Sequence, residues 1–319
     1  MMETKVLIPQ GDFLLEERYR FLGRLSDLPF PTGCTIGAKI FEPKKWYVLF
    51  KNKDFIRSVF QDNLLIEPDI FGAMGTISWG ESSQVDDAFS GLSIGINSSL
   101  LLCADANIKT LFRKRNYDIL TEFVLRNAKD TATCASLLRE EIKRRYGWTN
   151  LVAVDGSYAR AFEVGRRVAE EKNKEKVTRT NHFIKTPGYK PDYHGNAGTK
   201  TRLSDSESKL NEAKNVEDIF DLLRTHRESK TRLSTSICNH AKIHTVYSYV
   251  FEIKEGHTRL YVCRGNPCSN EYVPIDIRFP IDVEQRERIL EKYPSTRLKQ
   301  RLTRASAAVS VSSGFNLRY

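Results

Sequence analysis

The sequence predicts an α+β protein built from two antiparallel sheets with helices on their outer sides. Two observations lead there. Strand-like and helix-like runs come in separate blocks (strands, two helices, strands, helices, strands) and not in the alternation that a parallel βαβ sheet requires. Neighbouring strand candidates are also joined by short turns, Pro43-Lys44-Lys45 and Asp155-Gly156-Ser157, that suit hairpins.

The elements follow in order. Residues 35–41 and 46–50 form a first hairpin. Strands are expected at 73–79 and 91–98; the stretch Phe89-Ser90-Gly91-Leu92-Ser93-Ile94-Gly95-Ile96-Asn97 alternates small and apolar side chains, as in a strand packed tightly on one side. A helix over 108–126 has Leu111, Phe112, Ile119, Leu120, Phe123 and Val124 near helical spacing. A second, over 131–146, has Thr131 as N-cap, Ala135, Leu138 and Ile142 turned inward and Gly147 at its stop. Strands at 150–155, 158–164 and 177–180 come next. Residues 186–203 are polar and read as a long loop, with Tyr189, Lys190 and Tyr193 either in a pocket wall or in a solvated linker. Helical patterns cover 204–228, strands 245–253 and 260–263, and a helix 284–292. The Ser/Ala-rich tail from about Ala305 is expected to be weakly ordered unless docked.

Composition narrows the class. A chain of 319 residues with 40% hydrophobic and 28% charged residues is that of a water-soluble globular protein. No run of about eighteen apolar residues exists, and no long apolar stretch near the N-terminus resembles a signal peptide, so a cytoplasmic location and no membrane partner are expected. The six cysteines, Cys34, Cys103, Cys134, Cys238, Cys263 and Cys268, read as reduced thiols. They form no paired ligand sets, so no metal site is expected. The net charge of +10 raises nucleic-acid binding, but the charges fall in mixed-sign runs such as Glu170-Glu171-Lys172-Asn173-Lys174-Glu175-Lys176, read as a solvated helix face. That reading ranks last.

Gly33-Cys34-Thr35 is where the chemistry concentrates. A cysteine at the start of a strand, preceded by the least hindered carbonyl, is where a chain can cut itself. The Cys34 thiol attacks the Gly33 carbonyl, a thioester replaces the amide, and water releases the leader. The new terminus carries a nucleophile and an α-amine with a reference pKa of about 7.7–8.0, suited to a general base at neutral pH.

Further pieces appear in order along the chain: Lys51-Asn52-Lys53-Asp54, Gly91-Leu92, Thr180-Asn181-His182-Phe183, Ser236-Ile237-Cys238-Asn239-His240, Thr245-Val246-Tyr247-Ser248 and Gly265-Asn266-Pro267-Cys268. With Gly33-Cys34 they resemble the N-terminal nucleophile hydrolases of the acyl-coenzyme A:isopenicillin N acyltransferase type, more distantly similar to choloylglycine hydrolases and acid ceramidases. The resemblance covers residues 33 to about 275. It implies a four-layer αββα sandwich, self-cleavage before Cys34, and hydrolysis or transfer at a linear amide through an acyl-Cys34 thioester. The expected division is a leader (1–33), a catalytic domain (34–300) and a tail (301–319). The expected partners are a small amide or acyl substrate and the chain's own leader. No cofactor is implied beyond an acyl-coenzyme A co-substrate as an option.

By the resemblance Cys34 is the nucleophile, Asp54 orients the amine, and Asn181 donates to the oxyanion, where one such donor is worth about 100- to 1,000-fold in rate. His182 and Asn52 are structural support. His240 and Cys238 read as a core histidine and a buried thiol. Two departures stand out. Lys51 replaces an arginine and lacks its paired donors; it either lowers the Cys34 thiol pKa or lies at the surface. Ala88-Phe89-Ser90-Gly91-Leu92 lacks the family's Asn-Glu pair. Arg232 is a candidate to supply a basic group at the site. The alternative is a catalytically silent scaffold that binds a ligand.

Overall fold

The computed structural model describes residues 33–42, 46–55, 60–77, 89–108, 118–144, 148–186, 196–227, 235–240 and 244–295. Residues 1–32, the tail, Ala88, Tyr189, Lys190, Tyr193 and Arg232 lie outside them, and so do the expectations placed there.

Among the described residues thirteen strands make two antiparallel sheets. The first has the order β10-β1-β2-β11-β12-β13, from β1 (Gly33–Phe41), β2 (Trp46–Phe55), β10 (Lys176–Arg179), β11 (His244–Lys254), β12 (His257–Arg264) and β13 (Val273–Ile277). The second runs from β3 to β9 in chain order: β3 (Phe60–Glu67), β4 (Ile70–Ile77), β5 (Phe89–Asn97), β6 (Leu102–Asn107), β7 (Thr149–Val154), β8 (Ala159–Val164) and β9 (Val168–Asn173). The described helices are α1 (Asp118–Asn127), α2 (Thr131–Arg144), α3 (Asn196–Glu212), α4 (Val216–Arg224) and α5 (Val283–Lys292).

The period-two alternation of the strands sorts the core into layers. Cys34, Ile36, Ala38 and Ile40 of β1 and Tyr47 and Leu49 of β2 meet Phe71, Ile94, Ile96, Ala104 and Val152 of the other sheet. Phe41, Val48, Phe50 and Val250 point the other way, onto Leu210 of α3 and Ile219, Leu222 and Leu223 of α4. Leu65, Leu92, Cys103 and Leu151 pack on Leu120 and Val124 of α1 and on Cys134 and Leu138 of α2. The result is the αββα order expected from the sequence. Burial of each large apolar side chain stabilises it by about 1.5–3 kcal/mol.

Several elements depart from expectation. The run 170–176 is no helix face. β9 covers its start, and alternate carboxylates take different cations: Glu170 binds Arg139 and Arg160, while Glu171 binds Arg179 and Lys185. The expected loop 186–203 ends in the first two turns of α3. Asp130, not Thr131, caps α2: its Oδ1 accepts from the Thr133 amide at 2.7 Å, while the Thr131 hydroxyl donates to Asp155. The turn at Asp155-Gly156-Ser157 is as expected. Gly156 has φ +79°, and Asp155 Oδ1 accepts the amides of Ser157 and Tyr158. No helix among the described residues is long and apolar enough to cross a membrane.

Candidate active site

Cys34 is the second residue of β1, 3% exposed, on the face turned toward the other sheet. Its register partner on β2 is Lys53, and Gly33 stands opposite Asp54. On its other side β1 pairs with β10 only as far as Ile36 opposite Arg179. Two residues further along that register, Asn181 faces Cys34. The ladder has ended there, and the side chain takes its place: the Cys34 amide donates to Asn181 Oδ1 at 2.8 Å. The hairpin and the return strand thus bring the expected triplet, Cys34, Asp54 and Asn181, to one end of one sheet.

The orientation of Asn181 differs from that of an oxyanion donor. Its amide donates to the Asn107 carbonyl at 2.8 Å and to Asn107 Oδ1 at 2.9 Å, and its Oδ1 also accepts from Arg202 Nη2 at 2.7 Å. Two donors on one end and two acceptors on the other set the orientation of the amide. Asn181 holds the nitrogen of Cys34 by its carbonyl oxygen.

Asp54 is 1% exposed and accepts from the Thr245 hydroxyl at 2.8 Å. A methyl group on Gly33 would stand 2.7 Å from Asp54 Oδ2, so the carboxylate is packed against the α-carbon of the residue before Cys34. Burial pushes the Cys34 thiol up to about 11; Lys51 and Lys53 pull down, and Asp54 and Asp105 push up. The thiol is protonated at neutral pH in this form.

Lys51 is not a surface residue. Fully buried, its ammonium donates to the Ser93 hydroxyl (2.6 Å), the Ser93 carbonyl (3.0 Å) and the Asp105 carbonyl (2.6 Å), and pairs with Asp105 Oδ1 (3.0 Å). Lys53 donates to the same Ser93 hydroxyl at 3.2 Å. Asn52 is a strut: its amide donates to the carbonyls of Leu223 and Ile237. His182 turns away from Cys34, with Nδ1 at 3.1 Å from Thr199 Oγ1 and 3.2 Å from Thr180 Oγ1. Burial, with help from Lys200 and Arg202, lowers its pKa to about 4, so it stands neutral as structural support. His240 is exposed, not a core histidine; Cys238 is buried as expected.

Arg202 is the site residue that sequence reading missed. It is 1% exposed, and its charge is felt by both Asp54 and Cys34. Among the described side chains of α3, Thr199, Arg202, Ser206 and Leu210 are buried at helical spacing, with Gly198 and Leu203 beside them. Only Leu203 and Leu210 of these are large and apolar, so a search for apolar periodicity passes over the face that carries Arg202. Ser93 and Asp105 were missed as well; both reach the site through Lys51, from the opposite sheet.

No family model matches the chain, and no curated protein matches it. Solved structures similar to it include penicillin V acylase from Agrobacterium tumefaciens, at 12% identity and a TM-score of 0.49 over 76% of this chain and 86% of that one. A mutant conjugated bile acid hydrolase from Clostridium perfringens is similar at 12% identity and 0.46, over 77% and 97%. The N-acylethanolamine-hydrolyzing acid amidase ortholog of Caenorhabditis elegans is similar at 12% identity and 0.45, over 68% and 92%.

Proposed function

We propose that this chain is a self-processing cysteine amidohydrolase or acyltransferase of the N-terminal nucleophile type, acting on small linear amides. One observation carries the reading. The nitrogen of Cys34, in a strand paired on its β2 side, is held by a side-chain oxygen of Asn181 at 2.8 Å, and the residue before it is pressed against the buried carboxylate of Asp54. A buried amide takes an acceptor in any fold; what supports the reading is that this acceptor is the side chain of Asn181, with a buried carboxylate against the residue before it.

The Cys34 sulfur adds to the Gly33 carbonyl. The carbon–nitrogen bond breaks, the thiol proton passes to the departing nitrogen, and a Gly33 thioester forms. Water then cleaves the carbon–sulfur bond, releases the Gly33 carboxylate and returns a proton to sulfur. Cys34 now carries an α-amine where its amide stood, within reach of Asn181 Oδ1, and loss of Gly33 opens the Asp54 carboxylate to that amine. In turnover the amine takes the thiol proton, the sulfur attacks the carbonyl of an amide substrate, and the carbon–nitrogen bond breaks as that proton passes to the leaving amine. Water or an acceptor amine then cleaves the acyl-Cys34 thioester and returns a proton to sulfur. Asn181 and Arg202 fix the nitrogen and offset the charge of Asp54.

Intact mass and N-terminal sequencing of the purified chain test this. The expected result is a fragment that begins at Cys34, absent from Cys34→Ala. A wild-type chain that keeps its original N-terminus, and whose folded Cys34 is inert to a thiol-directed acyl probe, overturns the reading in favour of a silent ligand-binding scaffold.

A further inference from the structure

Away from Cys34, two cysteines and two histidines from three separate segments converge. His226 follows the C-terminal end of α4, Cys238 and His240 lie in the 235–240 segment, and Cys268 lies in the turn after β12. His240 Nε2 is 3.1 Å from Cys268 Sγ and 3.5 Å from Cys238 Sγ, and the two sulfurs are 3.5 Å apart. Ligand atoms of His226, His240 and Cys268 all lie within 4.8 Å of one another. A disulfide does not account for the pair, since both cysteines are free and the sulfurs lie well beyond a bond of about 2.05 Å.

We propose that His226, Cys238, His240 and Cys268 bind one zinc ion as a structural site. Zinc takes thiolate sulfur at about 2.3 Å and imidazole nitrogen at about 2.0–2.1 Å in a tetrahedron, whose edges then measure about 3.3–3.8 Å. The three separations among Cys238, His240 and Cys268 fall on or near those edges, and His226 is the remaining donor. Two thiolates and two neutral imidazoles balance the charge of the ion, and binding releases two thiol protons to solvent.

The surroundings fit a metal-bound thiolate. Asn266 Nδ2 points at Cys238 Sγ from 3.6 Å while it donates to the Asn239 carbonyl at 2.7 Å. His226 Nδ1 lies 3.2 Å from the Arg224 carbonyl, the kind of bond that fixes a ligating imidazole and leaves Nε2 for the metal. The spacing hid the site from sequence reading: only Cys238 and His240 are close in the chain, and His226 and Cys268 come from other elements. The absence of metal expected from the sequence rested on closely spaced ligand pairs, and this cluster draws its members from three segments.

The site also stands behind Asp54. The Asn239 amide donates to the Thr245 hydroxyl at 2.9 Å, the Thr245 amide returns to the Asn239 carbonyl at 2.9 Å, and the same hydroxyl donates to Asp54. An ion that clamps Cys238 and His240 holds the segment that positions this carboxylate.

Elemental analysis of the full chain, purified without chelators, tests the assignment. The expected result is one zinc per chain, falling below a tenth in Cys238→Ser and in Cys268→Ser and unchanged in Cys263→Ser. Should the serine variants fail to fold, the wild-type chain stripped by a chelator and titrated with cobalt(II) supplies the answer: it should show thiolate-to-cobalt charge transfer and the intense visible bands of a tetrahedral site. A reduced, folded chain that holds no zinc and gives no such absorption overturns the proposal, as does a Cys238–Cys268 disulfide recovered in peptide mapping. Cys34→Ala should carry the same zinc, so failure of the self-cleavage reading leaves this result untouched.

Discussion

Gly33 owes its place to what stands beside it. A side chain there would press on Asp54 Oδ2 at 2.7 Å, inside any normal contact. On the proposed function, Gly33→Val is therefore expected to slow self-cleavage at least tenfold, read as the fraction of uncut chain over time by mass spectrometry. His182 makes a pH prediction. Its folded pKa is near 4 against an ordinary 6.5. Between those values the unfolded chain binds more protons, so this contribution is complete above pH 6.5 and declines as the pH falls toward 4. Thermal melts from pH 7 to pH 4.5 should show a shallower acid loss in His182→Gln than in the parent. At this scale the sequence singled out Cys34, Asp54 and Asn181 as candidates, because each sits in a short motif, and the fold brings the three to one end of one sheet. It did not disclose which end of Asn181 faces Cys34. That depends on Asn107 and Arg202, which are far apart in the chain and carry no motif.

The elements that matter most to the site are those that turn polar residues inward. α4 is anchored by a capping box, in which Asn215 Oδ1 accepts from the Asp218 amide and Asp218 accepts from the Asn215 amide. Its far end presents the Leu223 carbonyl to Asn52. Asn215→Ala should cost about 1 kcal/mol in urea denaturation. The first hairpin and the β7–β8 hairpin were legible from their turns and apolar alternation. β3, β6 and β9 were not. β6, Leu102–Asn107, alternates Cys103 and Asp105 with small residues and has no flanking glycine or proline to mark it. β9 carries charges on both faces because it is the last strand of its sheet and its side chains find ion pairs there.

Across the whole molecule, Lys51 and Asp105 tie the two sheets together through the middle of the sandwich. Lys51→Met would leave Asp105 as a buried charge without its ion-pair partner, and should cost about 3–5 kcal/mol. Lys51→Met with Asp105→Leu should recover much of it, measured by chemical denaturation of both variants. The order of strand and helix blocks was enough to predict the layers, since each sheet must bury one face on the other and the second under helices. The placement of the Cys34 end of β1 carries a last consequence. Gly33 is the first residue of a nine-residue strand whose remaining length is laddered to β2, and over residues 36–39 to β10 as well. A cut at that point shortens the sheet by one residue at a margin and leaves its body unchanged. On the reading proposed here, the protein is switched on once in its lifetime by the loss of a bond that the fold hardly registers. Active and dormant copies then differ by one covalent event in their history, and no ligand is needed to keep them apart.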